Sequence, residues 1–285
     1  LNFYFHIKNT LLSPRNMFQE IVNTMSFRII YIIIISLFLV GCQTFEYSPY
    51  EIDRDGPTDI NANNIARFIN SESDTSIIAV IGDTQRFYDA TDDIIDKINT
   101  INEVDFVIHT GDLVDFGLQR EYNWMYELLE KLHAPYVAVV GNHDLIGNGG
   151  EIYQNMYGPL NFSFIFNDTK YVYINTNSRE FGFEPNVPDI SWLEQELSDT
   201  TGFSQAIIVQ HVPPINQDFN DELVDDFIEV LGSHDNLLLG INGHNHNYNF
   251  TASEDGISYL NSASTTTEQF ILLKVWNGGF EFELR

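Results

Sequence analysis

Residues 137–144 read VAVVGNHD: a short β-branched run, a glycine, then three polar residues that can hold a metal or move a proton. Such a run forms a buried strand, and the glycine ends it where a ligand has to come close to the backbone. The same order recurs at 79–85 (AVIGDTQ), 106–115 (FVIHTGDLVD) and 237–246 (LLLGINGHNH), and without the glycine at 207–211 (IIVQH). In an open α/β sheet, ligands gather beyond the carboxyl ends of the strands. Five strands ending in Asp, Asp, Asn-His, His and His-x-His therefore predict one shared cluster.

Helical patterns fill the spaces between these strands. Helices are expected near 58–71, from a cap at Thr91 through Ile94, Ile95, Ile98 and Ile101, over 119–132, over 189–198 and over 221–231. Strands 161–167 and 170–176 meet at the turn Asn167-Asp168, and short strands at 248–252, 257–261, 270–276 and 280–284 close the chain. The expected class is α/β, a four-layer α-β-β-α sandwich in which two mixed β-sheets pack together with helices outside.

Of the 285 residues, 44% are hydrophobic and 14% aromatic, enough to build one large domain, expected over 73–285. Forty-one acidic residues against thirteen basic ones leave a formal charge of -28. That balance cannot supply a broad basic face, so long nucleic acid is excluded as a partner, and the charge reads as a solvated acidic surface.

The leading 24 residues show no clear pattern. From Met25 onward, Arg28, the mostly apolar run 29–40 and Gly41-Cys42 match a secretory signal too short to span a bilayer comfortably. The stretch LVGC at 39–42 resembles the lipobox of bacterial lipoproteins. That resemblance implies a lipid on Cys42, loss of 1–41, a tether and short helix over 42–72, and a membrane-anchored protein of the bacterial cell envelope, exposed outside the cytoplasm. A lone cysteine allows no intramolecular disulfide.

Taken in order, Gly82-Asp83-x-Gln85, Gly111-Asp112-x-x-Asp115, Gly141-Asn142-His143-Asp144, His211 and Gly243-His244-x-His246 resemble the calcineurin-like metallophosphoesterases across roughly 77–248. The resemblance implies hydrolysis of a small-molecule phosphate ester, monoester or diester. Two divalent ions roughly 4 Å apart would clamp the phosphoryl group and turn a water into a bridging hydroxide. It implies Asp112 as the shared ligand, with Asp83, Gln85 and His246 completing the first site and Asn142, His211 and His244 the second. His143 would stand beside the phosphate with Asn142, stabilise its charge and protonate the leaving oxygen, oriented by Asp144.

One departure from the family pattern bears on the metal. The usual first block is Asp-x-His, and Gln85 takes the histidine place. An amide oxygen is harder than imidazole and shifts preference toward Mn²⁺ or Mg²⁺, with Fe and Zn as the other possibilities; alternatively Gln85 is only a hydrogen-bonding neighbour. Arg86 reads either as a grip on a substrate oxygen or as a surface arginine. Asp115 reads as a partner behind the site or a helix start, His109 as a packed group, and the glycines of 147–150 as a substrate-facing loop or a plain turn. The rival function is a binding scaffold that has lost the reaction; retention of Asp112, Asn142 and His143 favours the enzyme.

Overall fold

The computed structural model describes residues 13–41, 48, 50–53, 55–71, 73–252 and 257–285. The chain divides into two units, Leu1–Ser48 and Pro49–Arg285. In the first, α1 (Pro14–Gly41) opens on a proline, whose missing N–H is unneeded at a helix start, and continues unbroken from the stretch without clear pattern into the apolar run. Among the described residues, no helix is long and apolar enough to cross a membrane. Cys42 lies outside the described residues.

The second unit is built on two sheets. Strands β1 (Thr75–Ile81), β2 (Phe106–His109) and β3 (Tyr136–Ala138) run parallel, and β10 (Ile271–Trp276) and β11 (Gly279–Leu284) extend them antiparallel in the order β11-β10-β1-β2-β3. The second sheet comprises β4 (Phe162–Phe166), β5 (Thr169–Tyr173), β6 (Gln205–Val209), β7 (Leu237–Asn242), β8 (Asn249–Ala252) and β9 (Ser258–Asn261), ordered β4-β5-β6-β7-β9-β8. Its four central strands are parallel, and β4 and β8 are antiparallel edges.

Alternation along each strand produces the four layers. On β1, Ile78 and Val80 point to the other sheet, whereas Ala79 and Ile81 pack under α3 (Tyr88–Asn99), α4 (Gln119–Leu129) and α5 (Gly149–Met156). On β6, Ile207 and Val209 point inward while Ala206 and Ile208 meet α6 (Ile190–Ser198) and α7 (Val224–Gly232). The space between the sheets is rich in aromatic rings: Phe106 stacks on Phe68 at 4.6 Å and meets Phe164, Phe166 and Tyr171 edge-on. The four-layer arrangement is as expected.

Helix α2 (Ile60–Phe68) belongs to this unit and seals an edge. Asn61 both donates to the Ala138 carbonyl and accepts from the Ala138 N–H, and Asn64 donates to the Tyr136 carbonyl. Two side-chain amides thus stand in for the next strand beside β3, which is otherwise an open edge.

Three local expectations are corrected. Thr91 is not a cap: α3 starts at Tyr88, and the Thr91 hydroxyl donates within the helix to the Phe87 carbonyl. The glycines of 147–150 are a turn only as far as Asn148, because Gly149 begins α5 and packs so tightly that a Cβ there would lie 2.2 Å from the Asp144 carbonyl oxygen. The single helix expected over 221–231 is a 3₁₀ turn, Asp221–Leu223, followed by α7.

Candidate metal centre

Every residue singled out as a ligand sits just past the carboxyl end of a strand: Asp83 and Gln85 after β1, Asp112 after β2, Asn142 after β3, His211 after β6, and His244 and His246 after β7. Five of these seven, Asp83, Gln85, Asp112, His244 and His246, have positive φ, between 41° and 70°. Residues with a Cβ avoid that region, and holding them there costs energy that the surroundings must supply. The loops also crowd one another. A Cβ on Gly141 would lie 2.0 Å from the Asp112 backbone nitrogen, so only glycine lets the β3 loop pass the β2 loop.

The side chains form a continuous chain of contacts. On one side, Asn142 Oδ1 lies 3.0 Å from both His211 Nε2 and His244 Nδ1. On the other, His246 Nε2 lies 3.3 Å from Asp83 Oδ1, with Gln85 alongside. Asp112 stands between them: its Oδ1 is 3.3 Å from His211 Nε2, and its Oδ2 accepts the Gln85 amide at 3.0 Å. One carboxylate thus meets His211 with one oxygen and Gln85 with the other, and Gln85 is here its hydrogen-bonding neighbour.

Burial sets the electrostatics. It pushes the Asp83 carboxyl up to about 7, against the opposing pull of the His211 charge. Burial also pushes Asp112 up, but the charge and hydrogen bond of His211 outweigh it and hold this carboxyl well below the usual range. The converse holds for His211, where burial opposes the charge and Asp112 overcomes it, lifting the imidazole to about 10. Burial and the neighbouring His211 charge hold His244 down to about 4.

The backs of the imidazoles are anchored as ligand chemistry requires. His211 donates from Nδ1 to the Thr110 carbonyl at 2.7 Å, which turns Nε2 toward the cluster. His244 keeps Nδ1 for the cluster and places Nε2 3.3 Å from Asp218, which in turn pairs with Arg179. Nothing in the sequence marks Asp218, in an irregular segment, or Arg179, in the 3₁₀ turn Ser178–Phe181, since neither stretch carries a period or motif.

Around the cluster, His143 is half-buried and gives its Nδ1 proton to the Asp115 carbonyl at 2.8 Å, with the Asp115 carboxylate 3.5 Å away. Asp115 is therefore the partner behind His143. Asp144 is not: its carboxylate accepts the Val114 and Gly141 N–H groups and ties two ligand loops together. Burial and the Asp112 charge push that carboxyl up to about 8. Arg86 bonds Asp115 at 2.6 Å while most of its side chain stays exposed. His109 is a packed group: its Nδ1 accepts the Gly111 N–H, so Nε2 bears the proton and faces Thr84 at 3.1 Å.

Three of the residues are arranged as a metal ion requires. Asp83, Asp112 and His211 bring one ligand atom each to within 4.8 Å of one another, all three buried. Asp83 Oδ2 is buried without a hydrogen-bond partner, a costly state for a carboxylate oxygen unless a cation meets it. Carboxylate and amide oxygens with imidazole nitrogens form a donor set suited to Mn²⁺, Zn²⁺, Fe or Mg²⁺.

Comparison with known proteins shows the family and the fold. The sequence profile of the calcineurin-like phosphoesterases matches residues 77–248. The chain is 27% identical over 163 residues to a probable cyclic nucleotide phosphodiesterase of Coxiella burnetii, covering 54% of this chain and 65% of that one. It is 29% identical over 164 residues to a probable cyclic nucleotide phosphodiesterase of Moraxella catarrhalis, covering 50% and 58%. A glycerophosphodiester phosphodiesterase of Enterobacter lignolyticus is 25% identical over 174 residues, covering 56% and 62%. The chain thus spans less than two thirds of these relatives' own length. Among solved structures, a dimetal phosphatase from Danio rerio superposes with a TM-score of 0.61 at 12% identity, over 74% of this chain and 96% of that one. Purple acid phosphatase from yellow lupin seeds gives 0.60 at 15% identity, over 75% and 52%. At those identities the likeness is one of fold.

Proposed function

Since the chain belongs to the calcineurin-like phosphoesterase family, we propose that it hydrolyses small-molecule phosphate esters at the strand-end cluster. The observation that carries this reading is Asp112, one of whose carboxylate oxygens meets His211 while the other meets Gln85. Asp83, Gln85 and His246 with Asp112 would hold one divalent ion, and Asn142, His211 and His244 with Asp112 the other. Bound there, two such ions supply Lewis acidity toward the phosphoryl oxygens and an acidified water as nucleophile.

The chain's own residues do the rest. The Thr110 carbonyl and Asp218 fix the rings of His211 and His244, so the ligand atoms are aligned before substrate arrives. Asp115 fixes His143 through Nδ1 and leaves Nε2 free to hand a proton to the departing alcohol oxygen. Arg86, mostly exposed and bonded to Asp115, would meet an outer phosphoryl oxygen. An amide at Gln85 in place of imidazole favours Mn²⁺ as the working ion.

Protein stripped of metal and reloaded with Mn²⁺ should cleave bis(p-nitrophenyl) phosphate or p-nitrophenyl phosphate, and Asp112→Asn should lose at least ~10³-fold in kcat/KM. Equal rates in the two proteins would show a scaffold instead. The lipobox-like run at 39–42 supports a second part of the proposal: a lipid on Cys42 holds the domain at the outer side of a bacterial membrane. Detergent-phase partitioning of the full chain that is unchanged by Cys42→Ser would refute it.

A further inference from the structure

The surface beside His143 is apolar. Phe116, which follows Asp115, is 54% exposed, and Ile146, three residues after His143, is 42% exposed. Their two loops press together: a Cβ on Gly117 would lie 2.2 Å from the Ile146 carbonyl oxygen. Tyr50 extends the strip, since a Cβ on Gly147 would lie 3.6 Å from its ring and its carbonyl accepts the Asn148 side-chain amide at 2.9 Å. These side chains offer on the order of 300 Å² of mostly apolar surface, the extent at which a patch on a monomer is often functional.

The strip adjoins the proton donor of the proposed reaction. The Ile146 N–H meets the His143 carbonyl, and the Asp115 carbonyl that fixes the His143 ring belongs to the residue before Phe116. Arg86, bonded to Asp115, brings a cation to the same corner. An anion site beside an apolar strip matches the order of groups in an amphiphile, with phosphate at the strand ends and chain on the strip.

The segment that leads into the strip points to what covers it. Cys42, proposed above to carry a lipid, is eight residues before Tyr50, so at most about 29 Å of chain separates them. A lipid at Cys42 therefore keeps this strip within that distance of a bilayer.

We infer that the strip meets lipid and takes the alkyl or acyl chain of the departing alcohol, which makes the substrate a lipid-type phosphate ester at a bilayer surface. The chain's place on the alcohol side rests on the hydrolytic reading, in which His143 serves the leaving oxygen, whereas contact of the strip with lipid does not. Each methylene moved fully from water to apolar surroundings improves binding by up to about 4-fold. A strip covers one side of a chain, so about 2-fold per methylene is expected.

Two measurements on the full chain test this. In vesicles of phosphatidylcholine brominated on its acyl chains, Phe116→Trp adds a fluorophore on the strip, and Asn277→Trp adds one in the β10–β11 turn at the other end of β1. Zwitterionic lipid is chosen because a charge of -28 is repelled by anionic vesicles. The added emission should be quenched at least about 3-fold more at 116 than at 277, because apolar side chains docked on a bilayer enter the acyl boundary. The kcat/KM ratio of octyl to butyl phosphate, or of their methyl diesters, should be about 10-fold in wild type. It should fall to about 1 in the double variant Phe116→Ser, Ile146→Ser, with the butyl ester cleaved at the wild-type rate. Equal quenching at the two positions, or an unchanged ratio in the double variant, overturns the inference. Stronger quenching at 116 in a protein that cleaves neither ester upholds the lipid contact and refutes the hydrolytic reading alone.

Discussion

The interior between the two sheets and the cluster at their ends are made by opposite means. Inside, Ile78, Val80, Phe106, Tyr171, Ile207 and Leu239 lie on β-ladders, and apolar side chains fill the gap. At the ends, five ligand-type residues stand at positive φ, Asp83 keeps an unpaired oxygen out of water, and Asp112 and His211 form a buried ion pair. The first region follows period and packing except at a register shift between Ala206 and Ile207 and at the unpartnered Tyr171 hydroxyl, and supplies stability. The second breaks several local rules, and the first supports it; strain gathers where chemistry is done.

The largest effect expected from that contrast lies in the interior. Phe106 touches four other rings, and Phe106→Ala should cost about 3–5 kcal/mol in urea unfolding. The molecules that remain folded should still bind metal with the wild-type stoichiometry. A variant that unfolds normally but loses metal would erase the distinction between the two regions.

A smaller effect tests the cluster from outside it. Asp218 meets His244 from behind and makes no contact with the other ligand-type residues. Asp218→Asn should weaken metal binding by about 10–100-fold in calorimetric titration, with little change in thermal unfolding. Unchanged affinity would reduce Asp218 to the partner of Arg179.

An effect spread over pH concerns His109, a buried imidazole that burial holds down to about 3 despite the opposing charge of Asp112. The unfolded chain takes up this proton near 6.5 and the folded chain does not. His109 therefore contributes stability in full above pH 6.5 and loses it as pH falls toward 3, by at most about 1.4 kcal/mol per pH unit. His109→Gln should flatten the stability profile between pH 6.5 and 4 by up to that slope. Parallel profiles would mean that His109 is protonated in the folded protein.

Much of the interior was legible in the sequence because it follows period and composition. β-Branched runs closed by Gly-Asp or Gly-x-His placed the strands, and the Asn167-Asp168 turn was read from its residue types, which take positive φ there. The convergence of Asp83, Asp112, Asn142, His211 and His244 was legible for the same reason, since each follows a strand of one sandwich. What stands behind those residues was not. Asp218, Arg179 and the Thr110 carbonyl act through the path of loops and short turns, which carries no period. The roles of Asp115 and Asp144 could not be assigned from neighbours in sequence, because the three-residue spacing to Asp112 and the adjacency to His143 do not say where a carboxylate points. Helix α5 escaped notice because its opening glycines, which read as loop, are there for close packing.

On the proposed reading Asp112 joins two cation sites, and anomalous X-ray scattering from crystals grown with Mn²⁺ would locate both. Two peaks are expected, one between Asp112 and the group of Asp83, Gln85 and His246, the other between Asp112 and the group of Asn142, His211 and His244. A single peak, or a pair that Asp112 does not touch, would contradict the account.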